Sequence, residues 1–208
     1  MVKTKLIKVI FFDIGDVLLH IHPERMISEI STCADIPYDV VENAFPYDAH
    51  DTYERGKMTD YDWYISCKNA LPINNSLTEN QFWKSWSMLL GNETDVVDIL
   101  IKLKKNYKIW LLSNTNPMHI KNEIEGKYVF QKLVDGAIYS YDVGYRKPEK
   151  EIYQIACDHA KVNPENCVFI DDLKDNIIVA KQAGLNGIHY RNTNDLLNEL
   201  KRYNIIND

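Results

Sequence analysis

The chain has 208 residues, of which 45% are hydrophobic, and its 24 basic and 30 acidic side chains give a net charge of −6. This acidic balance gives no support to a nucleic-acid-binding or membrane-binding surface. No apolar stretch approaches the ~20 residues that span a bilayer, and the first apolar run meets Asp13 too early for a signal peptide. The 4 cysteines are scattered, which favours reduced thiols. We therefore expect a cytoplasmic monomer or homodimer with no nucleic-acid or membrane partner.

The first predicted element is a buried strand over residues 8–12. These residues are mostly apolar and β-favouring, and the run ends abruptly at Asp13. A carboxylate at the end of a buried strand is costly unless something there needs its charge. In open α/β sheets, ligands bind at the edge formed by the carboxyl ends of the strands. Asp13 is therefore the first candidate for chemistry.

The region that follows the first strand has a different composition. It is rich in aromatic and polar residues. First-turn prolines, N-cap threonines and helical spacing predict helices over residues 23–34, 37–44, 60–71 and 78–89. We therefore predict two domains, a core formed by residues 1–19 and 91–208, and an all-helical cap formed by residues 20–90 that is inserted after the first strand.

Strands and helices alternate through the rest of the chain. Short apolar runs bounded by polar residues predict strands over residues 108–112, 167–170 and 187–190. Helical spacing of apolar residues predicts helices over residues 94–105, 149–160 and 176–183. This alternation indicates βαβ units, so we predict an α/β fold with a doubly wound parallel sheet.

Polar side chains stand at the ends of several of these segments. They are Asp13, Ser113, Asn114, Lys147, Asp171 and Asp172. Each alone would suit a turn, a polar loop, a solvated lysine or a helix cap. In a parallel sheet, however, strand ends meet at one edge. A carboxylate there can act as a nucleophile, two more can hold a hard cation such as Mg²⁺, and the hydroxyl, amide and ammonium groups can bind phosphoryl oxygens.

The same residues lie in four motifs that resemble those of the haloacid dehalogenase (HAD) superfamily of phosphatases. The motifs are Phe12-Asp-Ile-Gly-Asp-Val17, Leu112-Ser-Asn-Thr-Asn116, Gly144-Tyr-Arg-Lys-Pro-Glu149, and Phe169-Ile-Asp-Asp172 followed by Asn176. They are most similar to the subgroup of bacterial α-glucose-1-phosphate phosphatase, and more distantly to the phosphatase domain of mammalian soluble epoxide hydrolase. This resemblance implies a Rossmann-like core, a helical cap and a hydrolase that acts on phosphomonoesters.

The resemblance also implies catalytic and phosphate-binding residues. Asp13 would attack phosphorus and become an aspartyl-phosphate, which water then hydrolyses. Lys147 would be the second catalytic residue and would offset repulsion between Asp13 and the incoming phosphate. Ser113, the backbone of Asn114 and Lys147 would bind the phosphate oxygens.

Mg²⁺ is the cofactor that the resemblance implies. Its ligands would be Asp13, the backbone carbonyl of Gly15 and Asp172, while Asp171 would act as a ligand of second rank, either directly or through a water. Most members of the family have an aspartate where this chain has Gly15, and that aspartate serves as general acid. A cap residue such as His22 or Glu54, or solvent, would then supply the proton, or a good leaving group would need less assistance.

The cap is expected to close over the site and to set specificity. Candidate substrate contacts are His20, His22, Tyr47, His50, Glu54 and Arg55. We expect Asp16 to cap the turn that follows it, and we expect His119 and His159 to be surface residues without a role.

The leading hypothesis is therefore a Mg²⁺-dependent phosphatase for a small phosphorylated metabolite, for example glucose 1-phosphate. A 2-haloacid dehalogenase would share the fold and nucleophile, but it has no use for the paired acids Asp171 and Asp172. A non-enzymatic phosphate- or metabolite-binding protein is the third reading, suggested by Gly15.

Overall fold

The structure is a computed structural model that describes residues 6–207; residues 1–5 and 208, which we assigned to the core, lie outside it. The strands described are, in chain order, β1 (Val9–Phe12), β2 (Leu19–Ile21), β3 (Leu90–Glu93), β4 (Lys108–Ser113), β5 (Gly136–Tyr139), β6 (Cys167–Asp171) and β7 (Asn186–His189). Five of these strands form a parallel sheet in the order β5-β4-β1-β6-β7, and β2 and β3 form a separate antiparallel pair.

Helices flank the sheet and build the cap. The α-helices within residues 6–207 are α1 (Pro23–Ala34), α2 (Tyr38–Asn43), α3 (Tyr47–Glu54), α4 (Asp60–Ala70), α5 (Glu79–Ser87), α6 (Val96–Leu103), α7 (Ser140–Val143), α8 (Lys150–Ala160), α9 (Lys174–Gln182) and α10 (Thr193–Arg202). A short π-helix covers His119–Ile124, and 3₁₀ turns cover Phe130–Lys132 and Pro164–Asn166. Among these helices, none is both long and apolar enough to cross a bilayer.

Both faces of the parallel sheet are buried, as expected for a central parallel sheet. On one face, Ile10 and Phe12 of β1 join a core with residues of α6 and α10. On the other face, Val9 and Phe11 join a core with residues of α8 and α9. The predicted doubly wound α/β fold is confirmed. The edge strand β5 was not predicted, because its sequence Gly-Ala-Ile-Tyr contains no long apolar run.

The cap helices α1–α5 enclose an aromatic core of their own. Its fully buried members include Tyr53, Trp63 and Phe82, with Trp86 beside them. Helices α1, α2, α4 and α5 coincide with the predicted segments to within two residues at each end. Helix α3 was not predicted, because its sequence Tyr-Asp-Ala-His-Asp-Thr-Tyr-Glu is mostly polar.

The chain passes from core to cap through β2 and back through β3, and these strands pair with each other. Because both ends of the segment 20–90 lie in these strands, the segment is not entirely helical. Just outside this pair, Thr94 donates from its hydroxyl to the Val17 carbonyl and from its amide to the Leu18 carbonyl, at 2.5 and 2.9 Å. The boundaries that we predicted near residues 20 and 90 both fall in these strands. We propose that the β2–β3 pair is the junction between the two domains.

Candidate active site

The parallel sheet brings the predicted polar residues to one edge. Strand β1 is paired with β4 on one side and β6 on the other, with Phe12 opposite Leu111 and Ile170. Asp13 follows β1, while Ser113 and Asp171 are the last residues of β4 and β6. The three side chains therefore leave the sheet at its carboxyl edge, where ligands bind in this architecture.

Lys147 joins two members of this group, Asp13 and Asp171. Its Nζ lies 2.7 Å from Asp13 Oδ1 and 2.7 Å from Asp171 Oδ2, and its side chain is 1% exposed. Burial opposes the charge on the ammonium, but attraction by Asp13 and Asp171 outweighs it, so the pKa of Lys147 is raised. The side chain thus remains a cation between two buried carboxylates.

Asn114 holds the backbone on which Lys147 is carried. Its side-chain amide donates to the Lys147 carbonyl at 2.9 Å and accepts from the Lys147 amide at 2.8 Å. These two bonds use the side chain of Asn114 and leave its backbone for the predicted phosphate contact. Ser113 is buried beside it, and the closest hydrogen-bonding partner of its hydroxyl is the Asn114 carbonyl at 3.4 Å.

Asp171 is surrounded by donors. Its Oδ1 accepts from the Leu173 amide at 2.8 Å and its Oδ2 accepts from Lys147. The amide of Asn176 lies 3.0 Å from each oxygen. The residue is 0% exposed. This arrangement favours a role in positioning Lys147 over direct coordination of a metal ion.

Three carboxylates nevertheless form one cluster. Asp13, Asp171 and Asp172 each offer an oxygen, and these oxygens lie within 4.8 Å of one another. Burial raises the pKa of Asp13 to about 7, and although Lys147 opposes this, Asp171 adds to it. Burial and then Asp171 raise the pKa of Asp172 as well. One ammonium therefore does not compensate the negative charge of the cluster.

The donor set of this cluster fits a hard divalent cation such as Mg²⁺. Mg²⁺ prefers carboxylate and carbonyl oxygens, and an added cation would favour the ionised forms of Asp13 and Asp172, whose pKa values are raised by burial and, to a smaller extent, by Asp171. Among residues 6–207, no group donates a hydrogen bond to the Gly15 carbonyl. That carbonyl is therefore free to serve as a further oxygen ligand.

The turn after Asp13 explains two of the predicted assignments. Asp16 adopts a left-handed conformation with φ 50°, and its Oδ1 accepts from the Ile21 amide at 3.0 Å, so it caps the turn as expected. A Cβ atom built on Gly15 would lie 3.3 Å from Cγ1 of Ile21. The space where other family members carry an acid is thus bordered by an apolar side chain.

The two cap residues considered as proton donors both have other partners. His22 Nδ1 lies 3.0 Å from Glu24 Oε1. Glu54 is buried, and its Oε2 forms an ion pair with Arg146 Nη2 at 2.6 Å. Both side chains are therefore engaged by neighbouring residues of the protein.

The predicted contacts Glu54 and Arg55 form ion pairs that join the cap to the core. Arg55 Nη1 donates to Glu149 Oε2 at 2.8 Å and Arg55 Nε to Asp51 Oδ2 at 2.6 Å. Arg146 Nη1 donates to Asp51 Oδ1 at 2.6 Å. Arg146 immediately precedes Lys147 in the chain, so this ionic network connects α3 to the loop that carries Lys147.

The remaining predicted contacts have different environments. His50 lies among aromatic rings of the cap, with centroid distances of 5.1 Å to Phe45 and 5.3 Å to Trp63. Tyr47 is 74% exposed, and His20 is exposed beside His22.

His119 was predicted to be a surface residue, and this was wrong. It is 5% exposed. Its ring stacks on Trp86 with centroids 5.1 Å apart, and its Nε2 lies 3.2 Å from the Trp86 carbonyl. Asn116 Nδ2 lies 3.1 Å from its other nitrogen, Nδ1. His119 is buried because a cap residue covers it, which no local pattern shows; His159, by contrast, is exposed as expected.

Comparison with known proteins identifies the family. Residues 7–184 match the family described as haloacid dehalogenase-like hydrolase. The chain belongs to this family. The predicted resemblance is thereby confirmed, and the protein is a hydrolase.

A curated relative and a solved structure match nearly the whole chain. D-Ribitol-5-phosphate phosphatase of Bacteroides thetaiotaomicron is 27% identical over an alignment of 206 residues that covers 94% of this chain and 97% of that protein. A HAD family enzyme of the same organism, in complex with magnesium and inorganic phosphate, is 25% identical with a TM-score of 0.79. That comparison covers 89% of this chain and 94% of the other.

A haloacid dehalogenase shares the fold. The 2-haloacid dehalogenase from Pseudomonas syringae pv. Tomato DC3000 is 17% identical with a TM-score of 0.61, over 95% of this chain and 100% of that chain. At this identity the likeness concerns architecture alone.

Proposed function

We propose that the protein is a Mg²⁺-dependent phosphatase that hydrolyses a small phosphomonoester through an aspartyl-phosphate on Asp13. The observation that carries this proposal is the position of Lys147 between Asp13 and Asp171, next to Asp172. One nucleophile, one buried cation and a cluster of free carboxylate oxygens are what phosphoryl transfer requires. The activity of the phosphatase relative and the magnesium and phosphate bound by the solved relative support it.

Asp13 is arranged to attack phosphorus with one of its two oxygens. Oδ1 is held by Lys147, and among residues 6–207 no group donates a hydrogen bond to Oδ2. In the first step, Oδ2 forms a bond to phosphorus, the ester P–O bond breaks, and the leaving oxygen takes a proton from water. In the second step, water attacks phosphorus and releases a proton that neutralises the hydroxide left by the first step, the bond to Asp13 breaks, and inorganic phosphate leaves.

Three groups bind the phosphate during both steps. Lys147 offsets the charge of the phosphate dianion, while the hydroxyl of Ser113 and the backbone amide of Asn114 donate to its oxygens. Gly15 moves no proton, so the reaction depends on solvent or on a good leaving group at this point.

Asp13, Asp172 and the Gly15 carbonyl are the residues that would hold Mg²⁺, with Asp171 contributing through a water. When bound, the metal ion neutralises charge on the carboxylates and on the transferring phosphoryl group. A 2-haloacid dehalogenase is less well supported, because a displacement of halide does not use the cluster of Asp171 and Asp172. From the acidic charge balance, we also propose that the protein has no nucleic-acid or membrane partners. Its scattered cysteines favour a cytoplasmic location, and we expect a monomer or homodimer.

Phosphate release from a panel of phosphomonoesters tests this function. The panel includes glucose 1-phosphate, suggested by the sequence, and D-ribitol 5-phosphate, the substrate named for the relative. We expect release that EDTA abolishes and Mg²⁺ restores, and a loss of at least ~10³-fold in Asp13→Asn. Asp16→Asn makes the same chemical change three residues away and should stay within a few fold.

Two results would contradict the proposal. Activity retained in Asp13→Asn would exclude the nucleophile. Release of halide from a 2-haloacid without metal, in place of phosphate release, would favour the dehalogenase.

A further inference from the structure

The cap contains a cavity of about 380 Å³, which we call the cap cavity. Its walls are mostly apolar, and members of the cap core contribute to them; examples are Met26, Ile30, Leu77 and Phe82. Folded cores contain few voids larger than a water molecule, whereas sites for small molecules measure roughly 300–1,000 Å³. The size of the cap cavity is therefore that of a binding site.

The few polar groups at the cap cavity are not suited to bind an anion, and they offer few hydrogen bonds to a polyol. Among residues 6–207, no lysine or arginine lines it, and the polar residues that do include Glu42, Tyr47 and His50. Burial lowers the pKa of His50, so its ring is neutral at neutral pH. Hydroxyl groups placed against the apolar walls would lose their hydrogen bonds to water without replacement.

One wall of the cap cavity adjoins the turn that follows Asp13. Pro23 and Leu89 line it, and the Leu89 carbonyl accepts from the His22 amide at 2.7 Å. Ile21 precedes His22 in the chain, and its side chain borders Gly15.

A second wall adjoins the loop after β4. Trp86 lines the cap cavity, and its ring stacks on His119. The backbone amide of His119 donates to Asn116 Oδ1 at 2.9 Å. Asn116 lies in the same loop as the phosphate-binding residues Ser113 and Asn114.

A third wall adjoins the loop of Lys147. His50 lines the cap cavity, and its Nε2 lies 3.5 Å from Glu54 Oε1. The other oxygen of Glu54 forms an ion pair with Arg146, the residue before Lys147. Contacts through His22, His119 and Glu54 therefore link the cap cavity to all three loops that surround Asp13.

We propose that the cap cavity binds an uncharged alkyl or aryl group of the substrate while the phosphate of the same molecule lies beside Asp13 and Lys147. This inference rests on the phosphatase function proposed above and names its substrate class as amphiphilic monophosphates rather than sugar or polyol phosphates.

The decisive comparison uses substrates that differ only outside the phosphate. Pentyl phosphate and D-ribitol 5-phosphate have the same five-carbon chain, without and with hydroxyl groups. A series of n-alkyl phosphates from ethyl to octyl keeps the leaving group constant, so changes in kcat/KM report binding of the chain. We expect kcat/KM to rise by up to about fourfold per methylene until the cap cavity is full, and pentyl phosphate to exceed D-ribitol 5-phosphate by about tenfold.

Variants place the effect in the cap cavity. Ala44 lines it, so Ala44→Phe should shorten the chain length at which kcat/KM stops rising, with methyl phosphate unaffected. Asn43→Phe adds the same ring to the adjacent exposed residue and should change nothing. If thermal unfolding shows that Ala44→Phe does not fold, Ile30→Ala enlarges the cap cavity and should move the same limit to longer chains.

The outcomes separate the two proposals. A flat alkyl series, with D-ribitol 5-phosphate hydrolysed at least as well as pentyl phosphate, overturns the inference and leaves the phosphatase function standing. If no substrate releases phosphate, the proposed function fails, and calorimetry still tests the cap cavity. Octyl phosphate binding more tightly than methyl phosphate, with the difference lost in Ala44→Phe, then supports the inference, and equal binding overturns it.

Discussion

The strand-end site and the cap cavity are built in opposite ways. At the site, Lys147 and Asp171 are 1% and 0% exposed, and every charge on them meets a named partner. In the cap, the important feature is space enclosed by apolar and aromatic side chains. The first region is filled with charged side chains at the ends of buried strands and in the loop of Lys147, whereas the second contains a cavity.

This difference separates chemistry from selectivity. Electrostatic stabilisation of a phosphoryl group requires charges in fixed positions, and strands buried on both faces provide them. Selection among substrates requires complementary shape and polarity, and the cap helices provide these. A change at the strand-end site should therefore affect the chemical step, whereas a change in the cap should affect the selection among substrates.

The largest expected effect comes from removing the buried cation. Lys147→Met leaves Asp13 and Asp171 as buried carboxylates without their shared partner, so we expect a loss of at least ~10³-fold in kcat/KM. Removing one partner of a buried ion pair also costs about 3–5 kcal/mol in the free energy of unfolding near pH 7. Phosphate release and urea unfolding measure the two effects.

Lys150→Met is the matched control, since Lys150 is exposed at the start of α8. It should change the free energy of unfolding by less than about 0.5 kcal/mol. A stable and active Lys147→Met variant would contradict the contrast between the two regions, because the strand-end site would then not depend on its buried cation.

The same contrast explains what the sequence could predict. Asp13 and Asp171 were found because an apolar run that stops at a polar residue is a local pattern, and because parallel strands end at one edge. The metal cluster followed from the same reasoning. The positions of these residues depend on elements whose type can be recognised within a few residues.

The cap could be predicted only as a set of helices. Helix α3 has a mostly polar sequence, and its place is determined by the ionic contacts of Asp51, Glu54 and Arg55 with the core. His119 is buried by Trp86, which lies 33 positions earlier in the chain. A cavity is produced by what distant side chains fail to fill, and no periodicity in the sequence records it.

The next largest effect concerns His119, where the two regions meet. The Trp86 carbonyl only accepts hydrogen bonds, so Nε2 carries the proton, and Nδ1 then accepts from Asn116. Burial lowers the pKa of His119 from 6.5 to about 4. The folded state thus favours the neutral ring, and the unfolded state binds the extra proton between these two values.

Stability should therefore be complete above pH 6.5 and fall as the pH drops toward 4, by about 3 kcal/mol from this group. Urea unfolding at pH 7.5 and 4.5 measures this loss of stability. His119→Gln should remove most of the share that comes from His119. His159→Gln is the control, since His159 is exposed and should behave as the wild type. An equal pH dependence in all three proteins would show that His119 does not couple the cap to the core through its neutral form.

The smallest of these effects distinguishes two neighbouring acids within the strand-end site. Asp171 is saturated by donors, whereas the carboxylate of Asp172 interacts with its own backbone amide and, among residues 6–207, accepts from no side chain. We expect Asp171→Asn to lower kcat by about 10–100-fold with little change in the Mg²⁺ requirement, because Lys147 loses its anchor while Asp171 contacts the metal ion only through a water. Asp172→Asn should raise the Mg²⁺ concentration for half-maximal activity by at least about tenfold and recover activity at high Mg²⁺.

Titration of activity with Mg²⁺ measures the effects of both variants, and thermal unfolding checks that each variant is folded. If Asp171→Asn shifts the Mg²⁺ requirement as far as Asp172→Asn does, Asp171 is a metal ligand, and its bonds to Lys147 and Asn176 rearrange when the metal binds.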